Sequence, residues 1–300
     1  RRAARLGGLR PRVGAAVGRY LSPLRYPGGK ARLAPHLERV IKLNDLRPEL
    51  FVEPFVGGGS VFLHLLSRGV VERAAVSDLD PLVGAFWWTV FNDTDWLVAQ
   101  IEGIDISLDN WDRLKHGQLK GKREEAVACL FLNRTSFSGI LARQAGPIGG
   151  RRQASDYTLD CRFPVKNIVG RILEASTLAD RIVFAGTMGW QDSLKLARQE
   201  ARGLTNPEAT LFYFDPPFFN HAERLYNMYF CNEQHLELRD AILALDEPWL
   251  LSYDHDERVS RLYGGGHARA AHRVTLYTTS GNGARRLGRE VIVSNLPRLV

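Results

Sequence analysis

Hydrophobic residues in this chain gather in short runs of strand length, and longer amphipathic stretches separate these runs. Apolar runs that end in polar or glycine-rich turns are typical of buried strands. They occupy residues 51–56, 74–78, 181–185, 211–214 and 249–254. Helical patterns are found over residues 33–41, 61–67, 126–133, 166–178 and 234–245. Because strands alternate with helices over much of the chain, the pattern predicts an α/β fold with a mainly parallel sheet.

Two further strand-like runs, residues 273–279 and 290–294, close the chain. Ser280-Gly281-Asn282-Gly283 lies between them, and glycine and asparagine are the residues that tight hairpin turns require. We therefore expect a terminal antiparallel hairpin next to the parallel strands.

The run at residues 211–214 ends on Asp215-Pro216-Pro217-Phe218. Each proline fixes φ and has no N–H, so the two prolines end the strand in a stiff turn. The Asp215 carboxylate and the Pro216 carbonyl can accept both hydrogens of an amine, and the Phe218 ring can stack on its plane. This stretch indicates a catalytic site for a planar group that carries an amine. A strand that ends in a purely structural proline turn is the alternative.

A glycine-rich turn follows the first strand, in the sequence FVEPFVGGGS of residues 51–60. Glycine lets the backbone approach a bound nucleotide, and Ser60 is a good N-cap for the helix that follows. The spacing differs from the G-x-G-x-x-G motif of dinucleotide-binding proteins. The candidate contact residues of this turn are Glu53, Phe55, Gly57 and Gly59.

Two other stretches support a cofactor site. Asp78 ends the second strand about 20 residues past the glycine turn, where nucleotide-binding sheets place a carboxylate that accepts from ribose hydroxyls. A helix cap formed by Asp78 and Asp80 is the alternative. Residues 25–30 are RYPGGK, in which two glycines precede Lys30; Ala31 stands where a P-loop has Ser or Thr, which excludes a P-loop. Together these stretches predict a site for a cofactor that contains adenosine.

The regular alternation is interrupted over residues 86–162, where tryptophans, basic residues and polar loops predominate. We expect this segment to be an inserted domain within a catalytic domain formed by residues 1–85 and 163–300. Its basic loops are candidates for contacts with a phosphate backbone, and an ordinary solvated face is the alternative. The candidate phosphate contacts are Arg143, Arg151 and Arg152.

The formal net charge of +7 favours a polyanionic partner. Residues 1–20 form a basic leader, rich in Gly and Ala, that we expect to be flexible. The cysteines Cys129, Cys161 and Cys231 match neither a disulfide framework nor a metal-ligand spacing. Because apolar runs of membrane length and a signal-peptide pattern are both lacking, and the cysteines are interpreted as ordinary thiols, we expect a cytoplasmic protein.

Six ordered motifs of the chain together resemble those of the Dam-like DNA adenine methyltransferases. They are RYPGGK, FVEPFVGGGSVF, SDLD, LFLNRTSFSG, DPPF and EVIVSN, spread from about Tyr26 to Asn295. The resemblance implies a Rossmann-like methyltransferase sheet that binds S-adenosyl-L-methionine, with an inserted target-recognition domain. It also implies methyl transfer to the exocyclic amine of an adenine that is flipped out of double-stranded DNA.

The resemblance assigns roles to individual residues as well. The implied cofactor contacts are Tyr26, Lys30, Phe55, Gly57, Gly59, Asp78 and Asp215. Among them Asp78 would bind the ribose, and Asp215 would lie between the cofactor and the target base. The implied DNA contacts are Asn133, Arg134 and Gly139.

This chain departs from the family pattern at the aromatic residue of the catalytic motif, which is Phe218 where the family usually has Tyr. Stacking requires only the ring, so we expect activity to survive. The region after Ala142 matches the family poorly, so the family's sequence preference is not transferred to this chain.

Other functions stay open at this point. An amine pocket does not by itself identify the base, so methylation of cytosine or of RNA is an alternative. A catalytically silent DNA-binding subunit is another, although the intact Asp215, Lys30 and Asp78 argue against it. A metal-dependent nuclease is disfavoured because no carboxylate–lysine cluster of that kind is found, and DHDE at residues 254–257 is better explained as a solvated loop. A cognate restriction endonuclease or another defence component is a further candidate partner.

Overall fold

A computed structural model describes residues 21–26, 28–203, 209–219, 227–264, 269–277 and 287–299. The predicted basic leader and the predicted turn at residues 280–283 lie outside these ranges. Within the described ranges, no helix combines the length and the apolar composition that a membrane span requires.

Seven strands of the described residues form one sheet in the order β3-β2-β1-β4-β5-β7-β6. The strands are β1 (Leu50–Glu53), β2 (Arg73–Asp78), β3 (Ile182–Thr187), β4 (Thr210–Phe214), β5 (Trp249–Asp254), β6 (Arg269–Tyr277) and β7 (Leu287–Ser294). Strands β1 to β5 are parallel, and β7 is antiparallel to both β5 and β6. The predicted fold class, a mainly parallel methyltransferase sheet with a terminal antiparallel pair, is confirmed.

The helices connect and cover these strands. They are α1 (Ala34–Leu43), α2 (Ser60–Ser67), α3 (Pro81–Asn92), α4 (Thr94–Glu102), α5 (Leu108–His116), α6 (Lys122–Thr135), α7 (Val165–Ser176), α8 (Trp190–Ala201), α9 (Asn232–Leu243) and α10 (Glu257–Tyr263). Helices α1 to α7 contribute to one hydrophobic cluster, and α8 to α10 contribute to a second.

The two clusters lie on opposite faces of the sheet. In β4, Leu211 and Tyr213 belong to the first cluster, whereas Phe212 and Phe214 belong to the second. Successive side chains of a strand point to opposite faces, so this alternation gives the sheet a core on each side. Apolar residues on both faces explain why the β4 sequence is a continuous hydrophobic run rather than an alternating one.

The predicted insert shares the core of the sheet. The boundary that we placed at residue 86 falls inside α3, and Leu97, Trp111 and Leu130 are buried in the same cluster as the helices of the sheet. Residues 86–135 therefore extend the first core instead of forming a core of their own. After the short 3₁₀ turn Phe137–Gly139, the chain up to α7 has neither helix nor strand. The recognition role of residues 86–162 stays a prediction.

The predicted N-cap of α2 is corrected by one residue. Ser60 is the first residue of the helix, and the N-cap is Gly59 with a φ of +66°. A Cβ atom at Gly59 would lie 2.4 Å from the Trp87 ring and 2.5 Å from the Phe62 ring. Both the backbone conformation and the packing therefore require glycine at this position.

Candidate active site

The carboxyl ends of β1, β2 and β4 meet at one cleft, because the three strands are parallel and adjacent. The cleft is open to solvent and has a volume of about 710 Å³ when the solvent space at its mouth is counted. Its lining includes every predicted cofactor contact, namely Tyr26, Lys30, Glu53, Phe55, Gly57, Gly59, Asp78 and Asp215. The fold thus brings together residues that are as far apart in the sequence as 26 and 215.

The glycine turn lies directly against the ring of Tyr26. A Cβ atom at Gly57 would come within 2.9 Å of that ring, and one at Gly58 within 2.8 Å of Tyr26 Cβ. Two hydrogen bonds fix the turn: Trp87 Nε1 donates to the Gly57 carbonyl at 2.9 Å, and Ser22 Oγ donates to the Gly58 carbonyl at 2.5 Å. The turn therefore leaves no room for side chains, and its three glycines line the cleft.

Asp78 binds the glycine turn from the end of β2. Its carboxylate accepts hydrogen bonds from the Gly57 amide at 2.9 Å and from the Asp80 amide at 3.0 Å. Burial raises the pKa of Asp78 to about 7, and the nearby Asp80 carboxylate adds to this shift. The helix-cap alternative applies to Asp80, whose Oδ1 accepts from the Leu82 amide at the start of α3. Asp78 itself holds the turn and also faces the cleft.

Asp215 lies at the end of β4, where its two carboxylate oxygens have different surroundings. Oδ1 accepts a hydrogen bond from Ser252 Oγ at 2.8 Å and lies 3.0 Å from Lys30 Nζ. Among the described residues, no donor reaches Oδ2. The side chain is 19 % exposed and lines the cleft. One oxygen is thus held by the protein, while the other is available to a ligand.

Lys30 lies at the centre of the charged groups. Its side chain is only 4 % exposed, and Nζ lies 3.0 Å from the Gly28 carbonyl and 3.2 Å from Glu290 Oε1, in addition to Asp215. The ammonium also lies 5.0 Å from the centre of the Phe218 ring. A buried ammonium requires such partners, because desolvation without them is costly. Lys30 therefore lies against the Asp215-Pro216-Pro217-Phe218 turn as well as in the cleft.

Burial changes the acidity of the carboxyl groups around Lys30. It raises the pKa of Asp215, while the Lys30 ammonium partly opposes the shift. Burial also raises the pKa of Glu53 well above its usual range, and the Asp215 carboxylate is the second cause. Glu53 Oε2 accepts from the Phe62 amide at 3.1 Å, in the first turn of α2. Glu53 thus anchors the helix that follows the glycine turn.

An aromatic cluster packs behind the catalytic turn. Phe219 stacks on His235, with 3.9 Å between ring centres, and on Tyr253, with 5.1 Å. His235 Nδ1 and the Tyr253 hydroxyl share a hydrogen bond of 2.9 Å. Burial lowers the pKa of His235 to about 4, and the Arg258 guanidinium is a second cause. This packing fixes the residue next to Phe218, which is itself half-buried.

Asn133 and Arg134, two of the expected DNA contacts, are both buried, and their contact with DNA stays a prediction. Asn133 Oδ1 accepts from the Arg25 amide at 2.6 Å, and its Nδ2 donates to the Gly139 carbonyl at 2.9 Å. Arg134 Nε donates to the Pro23 carbonyl at 2.9 Å. At Gly139 the φ is +75°, and a Cβ atom would lie 2.2 Å from the Arg25 carbonyl. These residues hold the segment before RYPGGK against the 137–139 turn.

The three other basic candidates are exposed. Arg151 Nη1 lies 2.5 Å from Asp112 Oδ2, and its guanidinium lies over the Trp111 ring at 5.3 Å from the ring centre. Arg143 and Arg152 share this irregular, solvent-facing segment between the 137–139 turn and α7. Their contact with DNA stays a prediction.

Three residues of the site escaped the sequence analysis, which named the strand or helix that carries each of them but gave them no role. Ser252 binds Asp215, Glu290 binds Lys30, and His235 supports Phe219. The usable signal for Glu290 was that an acid stands directly before the apolar residues of the EVIVSN strand. No local pattern marks Ser252 or His235, since their importance comes from strand pairing and helix packing.

Two comparisons with known proteins bear on the family. Residues 26–145 match the family model described as D12 class N6 adenine-specific DNA methyltransferase. The type II methyltransferase M.MjaIII of Methanocaldococcus jannaschii is 26 % identical over 133 residues, which are 39 % of this chain and 46 % of that protein. The chain thus matches less than half the length of this curated relative. Together the two matches confirm the resemblance that the six motifs indicated.

Proposed function

We propose, from this confirmed resemblance, that the chain transfers a methyl group from S-adenosyl-L-methionine to the exocyclic amine of an adenine in double-stranded DNA. The family match covers the RYPGGK motif from Tyr26 onward, the glycine turn, SDLD and the Asn133 to Gly139 motif, but it ends before Asp215. The chemistry at Asp215 therefore has to be argued from the geometry of the site.

The observation that carries the proposal is the asymmetry of the Asp215 carboxylate. Lys30 and Ser252 both bind Oδ1 and fix the plane of the carboxyl group. Among the described residues Oδ2 has no donor, and the side chain lines the cleft. A carboxylate held in this way is a preorganised acceptor for an N–H group that enters the cleft.

The cleft residues suit the proposed cofactor. S-adenosyl-L-methionine would supply an activated methyl group on a positively charged sulfur. The lining offers carboxylates that can bind a cationic group and hydroxyls. It also includes a glycine turn at which a Cβ atom would clash with neighbouring side chains. We assign the ribose to Asp78 and the methionine end to Phe55 and the glycines. Tyr26 and Lys30 complete the assigned contacts.

Asp215 and the Pro216 carbonyl would prepare the amine for attack. The nitrogen of an adenine amine is a poor nucleophile, because its lone pair is delocalised into the ring. Two acceptors that bind both N–H groups favour a pyramidal nitrogen, which directs the lone pair at the methyl group. Positioning and electrostatics therefore account for direct transfer, with no covalent enzyme intermediate.

The target base would have to leave the duplex to reach this carboxylate. Enzymes that act on a base inside a duplex extrude it and stack it in a pocket. Phe218, next to the catalytic prolines, is the ring that we assign to this stacking, which contributes about 1–3 kcal/mol in comparable cases. Arg143, Arg151 and Arg152 would contact the phosphate backbone and hold the duplex.

The test combines product identification with a matched pair of variants. Purified protein is incubated with DNA and labelled S-adenosyl-L-methionine, and the DNA is digested to nucleosides for mass spectrometry. We expect N6-methyladenine with the wild type, a loss of about a hundred- to a thousandfold in Asp215→Ala, and normal rates in the exposed control Asp109→Ala. Near-normal methylation by Asp215→Ala would contradict the proposal.

The same experiment separates the alternatives. N4-methylcytosine in the digest, or label that enters only RNA, would identify a different substrate for the same site. DNA binding without any transfer would identify a catalytically silent subunit. Single-molecule sequencing of DNA from cells that express the protein would then give the recognised sequence.

A further inference from the structure

Glu290 contacts the catalytic cluster from β7, which lies two strands away from β4 in the sheet. It lies on β7, pairs in register with Asp254 of β5, and its Oε1 is 3.2 Å from Lys30 Nζ. The residue is 8 % exposed, and its second oxygen, Oε2, is buried and has no hydrogen-bond partner among the residues that the structure describes. Burying a carboxylate costs free energy unless an opposite charge or hydrogen-bond donors stabilise it.

The charges around Lys30 explain what Glu290 adds. Lys30 and Asp215 form a pair, 3.0 Å apart, whose charges cancel. A neutral pair provides little stabilisation for positive charge, and positive charge develops on the amine nitrogen while it bonds to a methyl group. With Glu290 ionised, the group of Lys30, Asp215 and Glu290 carries a net charge of −1. Electrostatic stabilisation of this kind is strong at sites that exclude water.

We infer that Glu290 is a positioning residue for methyl transfer, which acts through Lys30 and supplies the net negative charge that the Lys30–Asp215 pair lacks. This inference rests on the proposed function. Glu290 does not need to touch the substrate. It draws the Lys30 ammonium toward β7, so that Lys30 competes less with the substrate amine for Asp215. Its negative charge also makes Asp215 a stronger acceptor for the amine.

The surroundings of Glu290 give the inference a pH dependence. The groups that face it are Lys30, Asp215, Asp254 and the neutral Tyr213 hydroxyl. Burial raises the pKa of Glu290 to about 7, Asp215 and Asp254 add to the shift, and Lys30 opposes it. Below this pKa Glu290 is neutral and the cluster has no net charge; above it the cluster is anionic. The rate of methyl transfer should therefore rise with pH.

The test measures single-turnover methyl transfer against pH in the full chain. In the wild type we expect the rate constant to rise with a midpoint near the Glu290 pKa of about 7. Glu290→Gln keeps the size and an acceptor oxygen but removes the charge. It should lower the rate constant at the pH plateau about 10- to 100-fold and remove the rise, with the KM for DNA and cofactor within about threefold.

Two controls keep the test decisive. Glu102→Gln makes the same change at an exposed position of α4, and it should leave both the rate and the pH profile unchanged. If thermal unfolding shows that Glu290→Gln is not folded, the test uses Glu290→Asp, which keeps the charge. That variant should keep the rise but move its midpoint, because the carboxyl group has changed.

A Glu290→Gln enzyme with wild-type rate and profile would overturn the inference, and so would a Glu290→Asp enzyme whose midpoint is unmoved. Each result presupposes that the wild type methylates DNA. An inactive wild type would instead count against the proposed function.

Discussion

Arg134 Nε donates a hydrogen bond of 2.9 Å to the carbonyl oxygen of Pro23, although the two residues are 111 positions apart. A second guanidinium nitrogen of Arg134 donates to the same oxygen. Arg171 Nη1 donates to the neighbouring Ser22 carbonyl at 3.0 Å. Two arginines thus hold the segment that leads into Tyr26, and the cofactor cleft depends on them indirectly.

The first prediction concerns the stability that Arg134 provides. Arg134→Gln should lower the free energy of unfolding by about 1.5–3 kcal/mol, because it removes buried hydrogen bonds from a charged donor. Urea unfolding measures the effect, and Arg143→Gln, at an exposed position, should change it little. If Arg134→Gln has normal stability but binds DNA with a weaker salt dependence, Arg134 contacts DNA, as the resemblance implied.

The exposed arginines give the second prediction. Replacing Arg143, Arg151 and Arg152 together by Gln should weaken DNA binding on all sequences, and each lost phosphate contact should reduce the salt slope by about 0.9. Fluorescence anisotropy over a range of salt concentrations measures this slope. Arg198→Gln with Arg202→Gln, at the end of α8, is the matched surface control. An unchanged slope in the triple variant would mean that these arginines are only solvated.

The third prediction uses the acidity of Asp78. Ribose hydroxyls donate best to an ionised carboxylate, and burial raises the pKa of Asp78 to about 7. Affinity for S-adenosyl-L-methionine should therefore increase as the pH rises through about 7. Calorimetry at several pH values measures this, and Asp78→Asn should bind more weakly with a flatter profile. Equal affinity in both proteins would remove Asp78 from the ribose role.

The fourth prediction separates the ring of Phe218 from its missing hydroxyl. Phe218→Ala should impair stabilisation of the extruded base, which a fluorescent base analogue at the target position reports. Phe218→Tyr should be close to neutral, because the stacking plane is kept. An inactive Phe218→Tyr enzyme would show instead that the pocket is too tight for a phenol, and that the departure from the family reflects a different substrate.

The fifth prediction concerns stability in acid. The pKa of His235 is about 4 in the folded protein, below its usual value of 6.5, so the unfolded chain binds the extra proton first. Stability should fall as the pH drops from about 6.5 toward 4, by up to about 2–3 kcal/mol for this residue. Urea unfolding against pH should show a smaller fall in His235→Gln than in the exposed control His116→Gln. Equal falls would assign the acid sensitivity to other groups.

Much of the fold follows from local patterns in the sequence. The β5 strand has the bounds that were predicted, because Trp249 to Asp254 is an apolar run between a proline and a polar turn. The other predicted elements within the described ranges begin or end within a few residues of their predicted bounds, whereas helices α3, α4, α5, α8 and α10 were not predicted. The insert boundary was placed inside α3, because the tryptophans after residue 86 resembled a change of domain. Trp87 is in fact buried against the glycine turn, through its bond to the Gly57 carbonyl.

The site was predictable only where single motifs carry it. The cleft residues come from short motifs whose glycines, acids and lysine have a recognisable order, and all of them line one cleft. The burial of Asn133 and Arg134 was not predicted, because a motif shows that residues matter but not which way they point. Ser252 and Glu290 were missed, because strand order decides which residues become neighbours of Asp215.

The position of β7 between β5 and β6 has a consequence for biosynthesis. The cluster around Lys30 needs a carboxylate that is encoded 260 residues later, so it cannot close until residue 290 has left the ribosome. A nascent chain in which β1 to β5 have paired would carry the cleft with an incomplete charge arrangement. Completion of the charge cluster therefore depends on the synthesis and docking of β7.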